Sequence, residues 1–123
     1  TFSLSINKMS KIYVLQLFKD NDVGLEIIEF GIGFVLDKKD NGLNHYYNRM
    51  GTCIDNRYLS LHGPFLDLNL ARFDNLVKNT TLKRYNQIYD IAKRLSKDRI
   101  IFHSCYYENI YFKETYINNC IEF

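Results

Sequence analysis

The sequence predicts an α/β fold in which a parallel (β/α)4 sheet forms one half of an incomplete or truncated (β/α)8 barrel. Three observations lead there. Short segments with period-two apolar alternation alternate with longer segments whose apolar residues recur at three and four, four times along 123 residues. One face of the predicted strands is Phe, Leu and Ile, whereas the other is small or polar near the carboxyl end: Asn7, Ser60, His62 and His103, with Glu26 able to join them. Such a polar row is costly beneath a layer of helices and easily placed in the mouth of a barrel. The competing arrangement is a doubly wound sheet with helices on both faces.

The elements follow in order. Residues 2–7 (FSLSIN) alternate and read as the first strand. Residues 9–20 follow, with Ser10 available as a cap and Met9, Ile12, Leu15 and Phe18 at helical spacing; a helix is preferred to a strand over 12–18. Residues 23–30 read as the second strand. Because it holds Glu26 and Glu29, at least one carboxylate should face a polar cavity or stand at a strand end. Residues 34–49 read as one helix, or as two pieces divided by Gly42. Residues 58–62 (YLSLH) form the third strand, stopped by Gly63-Pro64, and residues 65–71 read as a loop. The helix over 80–96 is the clearest element: Thr80 or Thr81 caps it, and Leu82, Tyr85, Ile88, Tyr89, Ala92 and Leu95 make its apolar stripe. Its Lys83, Arg84, Lys93 and Arg94 are expected in solvent. Residues 99–103 (RIIFH) form the fourth strand, and 110–123 return to helical spacing. Residues 1–123 therefore read as a single amino-terminal half-barrel.

Composition narrows the function. An apolar fraction of 46% and a charged fraction of 24%, with nine Phe, ten Tyr and one Pro, exclude a disordered or collagen-like chain. Sixteen Lys and Arg against fourteen Asp and Glu leave a charge of +2, which does not suggest a nucleic-acid or membrane surface. No apolar run reaches the length of a membrane-spanning helix, and residues 1–8 do not read as a secretory signal. Cys53, Cys105 and Cys120 are odd in number and widely spaced, which fits a reducing, cytoplasmic setting and argues against a disulfide scaffold. Gly31-Ile-Gly33 lacks the third glycine of a dinucleotide loop, so no nucleotide cofactor is expected.

His62 and His103 end the third and fourth strands and point, by parity, to one side. Adjacent parallel strands lie about 4.8 Å apart, so the two imidazoles can share a metal or a single anionic substrate. The plainer reading is two structural histidines bonded to backbone carbonyls. The metal set is incomplete, since no four-ligand arrangement is apparent. Glu26 is a candidate general base or ligand, or else orients a histidine. Asn7 is a candidate substrate-binding residue of the same row. Glu29 is expected to pair with a surface lysine, Glu108 to be solvated, Asp67 and Asn69 to cap a turn in preference to holding His62, and His45 to pack beside its tyrosines or face water. Cys105 is too close to His103 along the chain to imply a nucleophilic pair.

Leu59-Ser-Leu-His-Gly-Pro-Phe-Leu-Asp-Leu-Asn69 and Ile100-Ile-Phe-His-Ser104 resemble the xylose-isomerase-like barrel superfamily, which includes sugar-phosphate isomerase/epimerase-like proteins and metal-dependent abasic-site endonucleases (family two). FSLSIN and GLEIIEF resemble its first two strands, and the helix with Arg84, Ala92 and Leu95 its third helix. The resemblance implies a TIM barrel with a divalent metal (Zn, Mn or Mg) at its carboxyl mouth. His62 and His103 match two metal-ligand positions of the endonuclease branch, and substrate-contacting positions of the isomerase branch. Glu26 matches a polar residue lining the same cavity.

The family barrel has eight strands, and this sequence supplies four. The chain accordingly reads as a fragment, or as one half that pairs with a missing carboxyl-terminal half or forms a homodimer. The expected function is that of a sugar or sugar-phosphate isomerase/epimerase, metal-dependent when the barrel is complete and inactive as this fragment alone. The alternatives are an abasic-site endonuclease-like hydrolase, which needs a basic groove that the +2 charge does not supply, and a non-catalytic half-barrel.

Overall fold

A computed structural model describes residues 2–4, 20–21, 24–50, 59–66, 68–69, 74–103 and 113–121. The order is β1 (Phe2–Leu4), β2 (Leu25–Ile27), a 3-10 turn (Glu29–Gly31), α1 (Gly33–Leu36), α2 (Asp40–Met50), β3 (Leu59–His62), α3 (Asn75–Arg94), β4 (Ile100–Ile101) and α4 (Lys113–Ile121). All strand pairs are parallel and the sheet order is β1-β2-β3-β4. A sequential order never reverses direction, so it lacks the switch point of a doubly wound sheet. The sheet is unclosed, and the architecture is half of a TIM-barrel-like (β/α) fold.

The two faces divide as the alternation predicts. Leu25, Ile27, Leu59 and Leu61 are buried and meet Val35 and Leu36 of α1, Leu43 of α2, and Ile88, Ile91 and Ala92 of α3 in one core. Burying each of the leucine, isoleucine and valine side chains contributes roughly 1.5–3 kcal/mol. The register sets Glu26 opposite Ser60 and His62 opposite Ile101. Cross-strand partners share a face, so Glu26, Ser60, His62 and Ile101 lie on the side away from this core.

Several boundaries differ from the expectations. The second strand ends at Ile27, and the 3-10 turn that follows carries Phe30 into the core, where it stands 6.1 Å from Tyr46 and 6.0 Å from Tyr47 between ring centroids. Glu29 lies in this turn and is only 4% exposed. The helix expected over 34–49 is two pieces, but the break falls between α1 and α2 and Gly42 lies inside α2. Residues 5–7 of the first strand and 9–19 of the first helix lie outside the described residues.

α3 begins earlier than the threonines suggest. Asp74 is the cap, and its side chain accepts a 2.8 Å bond from the Leu76 N–H. Thr81 is instead buried mid-helix, where its hydroxyl donates to the Val77 carbonyl at 2.8 Å and accepts from the Asn69 N–H at 3.2 Å. The helix ends in a Schellman motif, with Ser96 N–H bonded to the Lys93 carbonyl and Lys97 N–H to the Ala92 carbonyl. Ser96 takes the left-handed position that this motif usually reserves for glycine, with φ 53°.

Two of the α3 cations are not simply solvated. Arg84 makes a two-pronged bond to Asp37, one prong at 2.7 Å, and also donates to Gln87, which holds the Leu36 carbonyl. Arg94 bonds Asp40 and Asn44 and lies 4.6 Å from the centre of the Tyr47 ring. These contacts fasten α1 and α2 to α3. Among the described residues, no helix is long and apolar enough to cross a membrane.

Candidate functional site

β3 and β4 bring His62 and His103 together. His62 is the last residue of β3, and His103 follows β4 by two residues. Their Nε2 atoms are 3.0 Å apart and their ring centroids 4.9 Å apart. On the other side, His62 Nε2 is 3.7 Å from Glu26 Oε1, and both side chains are 13% exposed. Glu26, His62 and His103 thus form one continuous row; the fourth strand is Ile100–Ile101 and not 99–103, so His103 joins the row from just past the end of β4.

The orientation of His62 is fixed chemically. Its Nδ1 lies 2.7 Å from the Gly63 carbonyl oxygen. A carbonyl only accepts, so Nδ1 carries the hydrogen, and the neutral ring presents a lone pair at Nε2. The 3.0 Å contact is then a hydrogen bond in the tautomer of His103 that carries its hydrogen on Nε2. Phe65 packs edge-on to His62 at 4.9 Å and lies 5.6 Å from His103. Gly63 is pinned in turn by its N–H bond to the Ile101 carbonyl at 2.8 Å.

The spacing of the two nitrogens, taken alone, is also compatible with two neighbouring metal ligands. With metal–nitrogen bonds of about 2.0–2.1 Å, two nitrogens at adjacent corners of an octahedron or tetrahedron stand roughly 2.9–3.4 Å apart; the observed separation is 3.0 Å. A ring N–H donated to a backbone carbonyl is also the usual support of a ligating histidine. The ligand set stops there: among the described residues, no group of three or more His, Cys, Asp or Glu could hold a metal ion.

Asn7, Asp67, Glu108 and Cys105 lie outside the described residues. Asn69 is buried and supplies its backbone N–H to the Thr81 hydroxyl. His45 is exposed on α2, edge-on to Tyr46 at 5.7 Å, away from the row. Sequence reasoning missed Phe65. Gly63-Pro64 reads as a strand terminator and Phe65 as the start of a loop, and nothing in that pattern signals that the Gly63 carbonyl and the Phe65 ring hold the imidazole.

Fold and site together define a half-barrel of parallel β/α units with a histidine pair at the carboxyl end of its strands. No protein-family model matches the chain, and no curated protein sequence matches it. Among solved structures, it is similar to the TTHB071 protein from Thermus thermophilus, from a crystal soaked with ZnCl2. The two are 23% identical with a TM-score of 0.59, over 89% of this chain and 41% of that one. The likeness is one of fold, and the chain spans less than half the length of that protein.

Proposed function

We propose that the chain is the amino-terminal half of a sugar or sugar-phosphate isomerase/epimerase of the xylose-isomerase-like superfamily, acting in the cytoplasm on a small polar substrate. The observation that carries this reading is the 3.0 Å approach of His62 and His103, with Glu26 beside them on one polar face. Glu26 takes the proton from the carbon next to the substrate carbonyl and returns it. His62 and His103 bind substrate oxygens directly, or do so around an ion, and Asn7 extends the row. A divalent ion (Zn, Mn or Mg), held by Nε2 of His62 and His103 with further ligands outside the described residues, supplies Lewis-acid polarisation of the carbonyl when bound. Zinc is the ion to try first, since the similar structure comes from a crystal soaked in it. The remaining half of the barrel comes from a further segment or from a second copy.

Calorimetric titration of the full chain with Zn2+, and then with sugars and sugar phosphates, tests the reading. His62→Ala and His103→Ala should each lower Zn2+ affinity by roughly 10-fold or more. A chain that binds neither a divalent ion nor any sugar or sugar phosphate overturns it.

A further inference from the structure

We propose that Gly31 is a positioning residue for His62: its missing side chain leaves the space in which the Gly63 carbonyl holds the imidazole in the Nδ1–H tautomer, so that the Nε2 lone pair faces His103. This deepens the proposed function and takes its functional meaning from it, but it rests on separate geometry. A Cβ at Gly31 would lie 3.1 Å from the Gly63 carbonyl oxygen, 3.3 Å from His62 Nδ1 and 3.3 Å from Phe65 Cε1. Those are the acceptor, the donor and the ring packed against the imidazole. Among the described residues, no glycine has a positive φ. Gly31 is therefore needed for room rather than for backbone freedom.

Neither backbone can easily retreat. Gly31 is held in its turn by an N–H bond to the Ile28 carbonyl at 2.9 Å. Gly63 is held by its N–H bond to the Ile101 carbonyl at 2.8 Å. A methyl at position 31 is accommodated by movement of the His62 and Phe65 rings. That movement lengthens and tilts the 2.7 Å bond which selects the tautomer. Held less firmly by the carbonyl, the ring places hydrogen on Nε2 for part of the time and loses its single aim at His103.

Long-range proton–nitrogen correlation spectra of the full chain, labelled with 15N-histidine in mildly alkaline buffer, test this without any ligand. The wild-type chain should give His62 a protonated, pyrrole-type Nδ1 and an unprotonated, pyridine-type Nε2. Gly31→Ala should lose that single pattern and give a mixture of tautomers or the reverse one, while exposed His45 is unchanged. A purely packing role for Gly31 would lower stability and leave the pattern intact. Two results overturn the proposal: a wild-type His62 protonated on Nε2, whether or not the variant folds, and a folded Gly31→Ala chain that keeps the wild-type pattern. A chain that shows the expected patterns but binds no ion or sugar refutes the proposed function alone.

Discussion

Asp37→Asn isolates the contact that ties α1 to α3. The Asp37 carboxylate accepts two bonds from the Arg84 guanidinium, and Lys83 approaches within 3.5 Å. Asparagine keeps the shape but loses the charge and one of the two acceptors facing the fork. Arg84 is the more buried partner at 16% exposure, against 47% for Asp37. Solvent screening at the carboxylate therefore holds the loss near about 1 kcal/mol, the upper end for an exposed pair. In a chain of this size that lowers the melting temperature by about 4 °C. The bonds from Arg84, opposed by a little desolvation, hold the Asp37 carboxyl well below its usual range. As acid is added, the unfolded chain takes up this proton before the folded chain does. The stabilisation is whole above the ordinary carboxylate value of about 3.9 and fades as pH falls from there through the lower folded value. Urea melts of both chains across acidic and neutral pH should show a gap at neutrality that closes in strong acid. An equal gap at every pH, or none at neutrality, refutes the reasoning.

Three other substitutions probe the fold in the same denaturation assay. Ile88→Ala removes a side chain with no exposed surface from the centre of the core and should cost about 3–4 kcal/mol. Thr81→Val keeps the size but removes the acceptor for the buried Asn69 N–H, and should cost roughly 1–2 kcal/mol. Ser96→Gly relieves a left-handed residue in the Schellman motif and should raise stability by about 0.5–1 kcal/mol, net of the greater freedom glycine gives the unfolded chain.

The face pattern of the strands was legible because side-chain alternation is a local property. Leu25, Ile27, Leu59 and Leu61 declare one face, Glu26, Ser60 and His62 the other, and parallel register does the rest. Boundaries were less legible because they depend on contacts distant in sequence. The end of β2 is set by where Phe30 finds Tyr46 and Tyr47, and the start of α3 by one aspartate ahead of a stretch with little apolar periodicity. Thr81 looks like a cap until Asn69, twelve residues earlier, is seen to use its hydroxyl. Arg84 and Arg94 sit on the polar side of the α3 stripe, where a helical wheel cannot reveal that Asp37 and Asp40 wait on neighbouring elements. At the site, parity paired His62 with His103, but the grip of Gly63 and Phe65 on the ring comes from the residues just past the end of β3, which no periodicity encodes.

A Zn2+ titration of the full chain, followed at the histidine ring nitrogens, asks most directly whether the two strand ends make a single site. Nε2 of His62 and of His103 should shift together over the same range of added ion, reaching a plateau at one ion per chain, with His45 unmoved. Independent shifts of the two rings, or a response at His45 alone, would contradict a shared site.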